Sequence, residues 1–98
     1  MRSAIALAVL LAASPVFAKE GAGMKRKAEM AKAAKTGLEA ALTKATAKAP
    51  GKAIEAEIRK KKGKVVWEVE VLGEDGKIAE VDVDADSGEV VDSEARGR

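Results

Sequence analysis

The chain changes its hydrophobic period once, and the change falls near residue 50. Before it, Leu38, Ala41, Leu42 and Ala45 share one side of a 3.6-residue wheel, with Glu39, Lys44 and Lys48 on the other, which predicts a short amphipathic helix. Thr36-Gly37-Leu38-Glu39 fits the S/T-x-x-E capping box, so Thr36 is expected to start that helix, and Pro50-Gly51 to stop it. Beyond Gly51 the period is two. Ile54, Ala56 and Ile58 alternate with Glu55, Glu57 and Arg59; Val65, Trp67, Val69 and Val71 alternate with Val66, Glu68, Glu70 and Leu72. Ala79, Val81, Val83 and Ala85 alternate in turn with Glu80, Asp82 and Asp84. Each run predicts a strand with one dry and one wet face. The connections Lys61-Lys62-Gly63, Gly73-Glu74-Asp75-Gly76 and Asp86-Ser87-Gly88 are short and glycine-bearing, as antiparallel hairpins require. Residues 89–92 read as a short fourth strand, with Val90 or Val91 turned to the core. The expected fold class is α+β: one helix packed on a three- to four-stranded antiparallel β-meander, with Trp67 inside it.

The segment ahead of this domain has a different character. Arg2, the apolar run from Ala4 to Ala13, Pro15 and then Val16-Phe17-Ala18 form the pattern of a cleavable export signal over residues 1–18, cut after Ala18. The run is shorter than the roughly 20 residues that span a bilayer. Residues 19–35 are rich in alanine and lysine and read as a basic tether, partly helical or disordered, with too little apolar surface to hold it on a core. The domain is expected over residues 36–92, with a tail over 93–98. The predicted location is therefore outside the cytoplasm, periplasmic or secreted.

Composition narrows the chemistry. The 98 residues contain no Cys, His or Tyr. That removes disulfides, lipoprotein attachment, thiol nucleophiles, the usual general bases and nitrogen metal ligands. Charge is near balance overall but is segregated along the chain. Residues 19–64 hold fourteen Lys/Arg against five Asp/Glu, whereas residues 65–98 hold three against eleven.

Several of these residues together resemble a known family. They are Leu38-Glu39-Ala40-Ala41 and Ala45, Pro50-Gly51, the Ile54/Ile58 strand, Trp67-Glu68-Val69-Glu70-Val71, Asp75-Gly76, Val83-Asp84-Ala85 and Ser87-Gly88-Glu89-Val90. In that order and spacing they resemble the PepSY domain over about residues 36–91, with Ser87 where threonine is commoner. The resemblance implies a non-catalytic module with no catalytic residues to carry over. In peptidase propeptides such a module inhibits the cognate enzyme or assists its folding, and stand-alone exported versions act on envelope proteolysis. It implies a protein partner, with an extracytoplasmic peptidase the leading candidate. The basic residues 19–35 lie outside the family pattern.

The candidate interaction residues are Glu68, Glu70, Asp82 and Asp84 on wet strand faces, and Lys60, Lys61 and Lys62 at a hairpin tip. An edge strand could accept an extended peptide, with those acids setting its charge preference. Asp82-x-Asp84-x-Asp86 suggests calcium, but an EF-hand loop begun at Asp82 needs glycine at 87 and an acid at 93, where serines stand. No metal and no cofactor are expected. The lysines lack the stacking aromatics of a nucleic-acid site, so no nucleic-acid partner is expected either. The alternative role is a surface-associated envelope protein, its basic tether docked on anionic polymer or lipid.

Overall fold

The computed structural model describes residues 21 and 23–96; the expected signal segment lies outside them. Residues 23–33 form a helix (α1). It is followed by α2 (Leu38–Lys48), β1 (Lys52–Lys61), β2 (Lys64–Leu72), β3 (Ile78–Asp84) and β4 (Val90–Arg96). The strands form one antiparallel sheet in the order β1-β2-β3-β4, and α2 lies across one face of it. This is the α+β meander anticipated from the alternation, with four strands. The fourth is longer than expected, because residues 93–96 continue the ladder along β3 instead of forming a tail.

The core between helix and sheet is small and built from small side chains. Ala41 and Ala45 of α2 meet Val69 and Val71 of β2 and Val81 and Val83 of β3, with Leu42, Ala53, Ala56, Trp67 and Val90 packed around them. The alanines let α2 sit close to the valine surface. Val90, and not Val91, turns to this core.

Four local expectations are corrected. First, Thr36 does not cap α2: Gly37 is the N-cap, with no side-chain cap hydrogen bond. Thr36 is engaged elsewhere. Its amide donates to Ala85 O at 2.7 Å and its hydroxyl to Asp86 O at 3.3 Å, which ties the lead-in to the β3–β4 turn. Second, Leu38 stays 44% exposed, because Ala41 and Ala45 carry the contact face. Third, the register slips between Ala53 and Glu55, making Ile54 the extra residue of a β-bulge. Ala53 takes the inward place and Ile54 is 47% exposed. Fourth, Val66 was assigned to a wet face and is buried, on the side of the sheet away from α2.

Two glycines have conformational reasons. Lys62 and Gly63 both adopt positive φ, 51° and 81°, and close the β1–β2 hairpin in the primed geometry that matches strand twist. Gly51, at φ 155°, passes so close to the end of β2 that a Cβ there would collide with the Leu72 carbonyl oxygen.

Candidate functional site

The sheet face opposite α2 gathers most of the charge. Strand register decides this. The two-residue turn sets Lys61 opposite Lys64, which places Glu57 opposite Glu68 and Glu55 opposite Glu70. β2 and β3 pair Glu68 with Asp82 and Glu70 with Glu80, and β3 and β4 pair Asp82 with Asp92 and Glu80 with Glu94. Directly opposed residues project to the same face. Two rows of carboxylates therefore cross the whole sheet: Glu55, Glu70, Glu80 and Glu94, then Glu57, Glu68, Asp82 and Asp92. Columns lie about 4.8 Å apart and rows about 7 Å apart.

Basic side chains reach the second row and its neighbours. Lys61 Nζ lies 2.8 Å from Glu68 Oε2 and 3.0 Å from Asp82 Oδ2. Arg59 Nη1 is 3.1 Å from Glu68 Oε1, and Lys64 is 3.8 Å from Asp84. From α1, Lys27 reaches Glu57 at 3.0 Å. Among the described side chains no ion pair reaches Glu55, Glu70 or Glu94. Asp82 is only 5% exposed; Lys61 serves its Oδ2, while its Oδ1 is covered and receives no hydrogen bond from the described residues. Beside it opens a cleft of about 720 Å³ with Val66 and Val91 as apolar lining, Asp82 and Asp92 as acids, and Lys61, Lys62 and Lys64 as bases.

These contacts set the titration behaviour. Burial opposes ionisation of Glu68, but hydrogen bonds donated by Lys61 and Arg59, together with one shared with Glu80, overcome it and hold the carboxyl at about 2. The hydrogen bonds to Glu68 and then Asp82 hold the Lys61 ammonium well above its ordinary value. Asp84 is lowered by the Ser87 and Asp86 amides that its Oδ1 accepts at 3.0 and 2.7 Å, with Lys64 assisting. A carboxyl with a depressed folded value contributes stability above its unfolded value and loses it as pH falls through the folded one. Stability is therefore expected to be steady down to about pH 4.5 and to decline toward pH 2, with about 1–2 kcal/mol traceable to Glu68. Thermal melts from pH 6 to pH 2 should show Glu68→Gln less stable than wild type at pH 6 and nearly equal at pH 2. Parallel curves at all pH values would contradict the network.

The structure brings five sequence candidates together here, Glu68, Glu70, Asp82, Asp84 and Lys61. Lys61, expected at a hairpin tip, bridges Glu68 of β2 and Asp82 of β3. Lys62 lies in the turn at the cleft margin. Lys60 projects to the α2 side, opposite Val65, and does not join the face. Sequence reading missed Glu55, Glu57, Glu80, Asp92 and Glu94 as members of the rows, and Arg59 and Lys64 as their neighbours. The Lys62-Gly63 turn was the available signal, since it sets the β1–β2 register from which the first two columns follow. Asp84, read as a wet-face acid, caps the turn that carries Ser87 and Gly88.

No helix among the described residues is long and apolar enough to cross a membrane. No curated protein and no solved structure matches the chain. Residues 35–94 match the family model described as the peptidase propeptide and YPEB domain. That span covers more than half of the chain and takes in α2, β1 to β3, most of β4 and both carboxylate rows, so the chain belongs to the PepSY family.

Proposed function

We propose that this chain is an exported, non-catalytic binding module that modulates a peptidase, or another cell-envelope protein, by occupying it. The observation that carries this reading is the family match over residues 35–94, since the family is one of propeptide and inhibitor-like modules. The surface offered to the partner is the charged sheet face, where Glu68, Glu70, Asp82 and Asp84 stand on the two interior strands.

A second reading draws on α1. Met24 is 71% exposed, and Lys25, Arg26 and Lys32 are exposed beside it, a composition suited to an anionic polymer or lipid surface. One experiment separates the two. The tagged chain is expressed in its source, recovered from the extracytoplasmic fraction with an N-terminus expected at Lys19, and compared with a K25Q/R26Q/K27Q/K32Q variant. Recovery of a peptidase whose activity falls when pure chain is added, with equal capture by the variant, is the expected outcome. Recovery of envelope polymer or lipid alone, lost in the variant, would replace it with the surface-docking reading.

A further inference from the structure

β1 is one edge of the sheet, and α1 stands beside it. Glu57, Ile58, Arg59 and Lys60 all line one cavity of about 450 Å³ with Lys27 and Met30 of α1. Consecutive side chains leave a strand on opposite faces, so a helix that meets all four flanks the edge. Its hold is slight. Met30 is the one residue of α1 that is not exposed, and Lys27 makes the one ion pair of α1 among the described side chains, 3.0 Å to Glu57. Residues 23–33 also lie outside the span 35–94 that matches the family.

The edge beneath α1 is complementary to itself. The two-residue turn makes Lys61 and Lys64 a hydrogen-bonded pair, so Ala56, Ile58 and Lys60 turn their backbone N–H and C=O away from β2. A second β1 laid antiparallel along them, with the two-fold axis at Ile58, sets Ile58 against its own copy and Ala56 against Lys60. Glu57 then faces Arg59 of the second copy, and Glu55 faces its Lys61. Both pairs are opposite in sign and fall at non-hydrogen-bonded positions, where side chains come closest. The symmetry supplies each pair twice. Moving the axis by one or two residues either way sets glutamate against glutamate or base against base. The other edge lacks this property: β4 carries Asp92 and Glu94 and no base from Val90 to Ala95, so its acids would meet acids. Arg59 gives one nitrogen to Glu68 and its side chain is half-exposed, which leaves donors for a second copy. In the single chain Lys27 holds Glu57 in the place of that arginine.

We propose that β1 is an interface for a second copy of this chain, joining two four-stranded sheets into one, and that α1 is a displaceable cover on that edge. Displacement of α1 frees Glu57 and uncovers Ile58, and the second copy replaces Lys27 with Arg59 and Met30 with Ile58. Because the two-fold axis passes through the sheet, both charged faces lie on one side of the joined sheet and both α2 helices on the other. The pairing is independent of which protein the charged face binds.

The test is sedimentation velocity on the chain recovered from the extracytoplasmic fraction, from micromolar to millimolar concentration, with circular dichroism to confirm that each variant is folded. Wild type is expected to pass from monomer to dimer with concentration. K27Q/M30Q, which loosens α1, is expected to dimerise about tenfold more tightly. Glu57→Arg sets like charges across the axis twice, and so does Arg59→Glu; each alone is expected to remain monomeric. Mixed in equal amounts, the two are expected to form a heterodimer, because every charged pair at these positions is then opposite in sign. Loss of fold cannot produce that rescue, and it requires the axis at Ile58.

A wild type and a K27Q/M30Q variant that both stay monomeric at millimolar concentration would overturn the proposal. So would single reversals that associate as wild type does, or a mixture of the two folded reversals that stays monomeric. Equal dimerisation of wild type and K27Q/M30Q would overturn the assignment of α1 as the cover.

Discussion

Val69→Asp is expected to leave the domain without a cooperative folded state at 25 °C. Val69 is fully buried at the middle of β2, in one core cluster with Ala41, Ala45, Val71, Val81 and Val83. It also stands in register between Ala56 and Val81, so every direction around it is apolar. An aspartate there must either bury a charge or take up a proton, and both cost several kcal/mol with no partner in reach. A domain of about 60 residues has a total stability of about 3–9 kcal/mol, and this core of alanines and valines has no larger side chain to absorb the loss. The expected result by circular dichroism is loss of the strand signal and of any sigmoidal urea transition. Val69→Ala, which removes two methyl groups, should cost about 2 kcal/mol and keep the transition. Glu70→Gln, one residue along, should leave stability within about 0.5 kcal/mol, because it points to the other face. A one-residue error in the register of β2 would exchange the outcomes at 69 and 70, so the pair tests the fold itself.

The face of each strand was legible from alternation wherever the alternation was unbroken. Val65 to Val71 and Ala79 to Ala85 hold one period throughout, and the residues they point inward form the core. The reading failed where a long-range contact overrode a local rule. Ile54 obeys the alternation of its strand in sequence but sits at a bulge, and a bulge leaves no mark in a two-residue period. Thr36 matches the capping box, but its hydroxyl is engaged 50 residues away by the Asp86 carbonyl. Val66 was placed in water because its neighbours Glu68 and Glu70 are charged, although the second face of a four-stranded sheet can also be covered. The carboxylate rows were half legible. The acids at alternate positions of β2 and β3 stand out in the sequence, whereas their alignment into rows depends on turn lengths and on the β3–β4 slip between Asp82 and Val83. Family resemblance found the module, and its motifs include Glu68, Glu70 and Asp84 of this face, but a motif read along one strand does not set that strand against its neighbours.

Trp67→Ala is expected to lower stability by about 3–4 kcal/mol, the lower part of the range for tryptophan truncation, because Trp67 is half-buried. Its role is more specific than filling space. The ring stands in register between Ile58 and Val83, and its indole N–H donates to Thr36 O at 2.8 Å. Thr36 in turn donates its own amide to Ala85 O. One residue thus binds the lead-in of α2 to β2 and to the β3–β4 turn at once, in place of the missing side-chain cap. Trp67→Phe keeps most of the apolar area and removes only the donor, so it should cost about 1–2 kcal/mol, part of it the unpaired Thr36 carbonyl. At about 4–8 °C per kcal/mol for a domain of this size, the two variants should separate clearly in thermal melts. Amide exchange supplies the discriminating readout: Trp67→Phe should speed exchange at Thr36 and the first turn of α2 while leaving β2 and β3 protected. Uniform acceleration over the whole domain in Trp67→Phe would mean that the ring serves only as core, and that α2 is held by Ala41 and Ala45 alone.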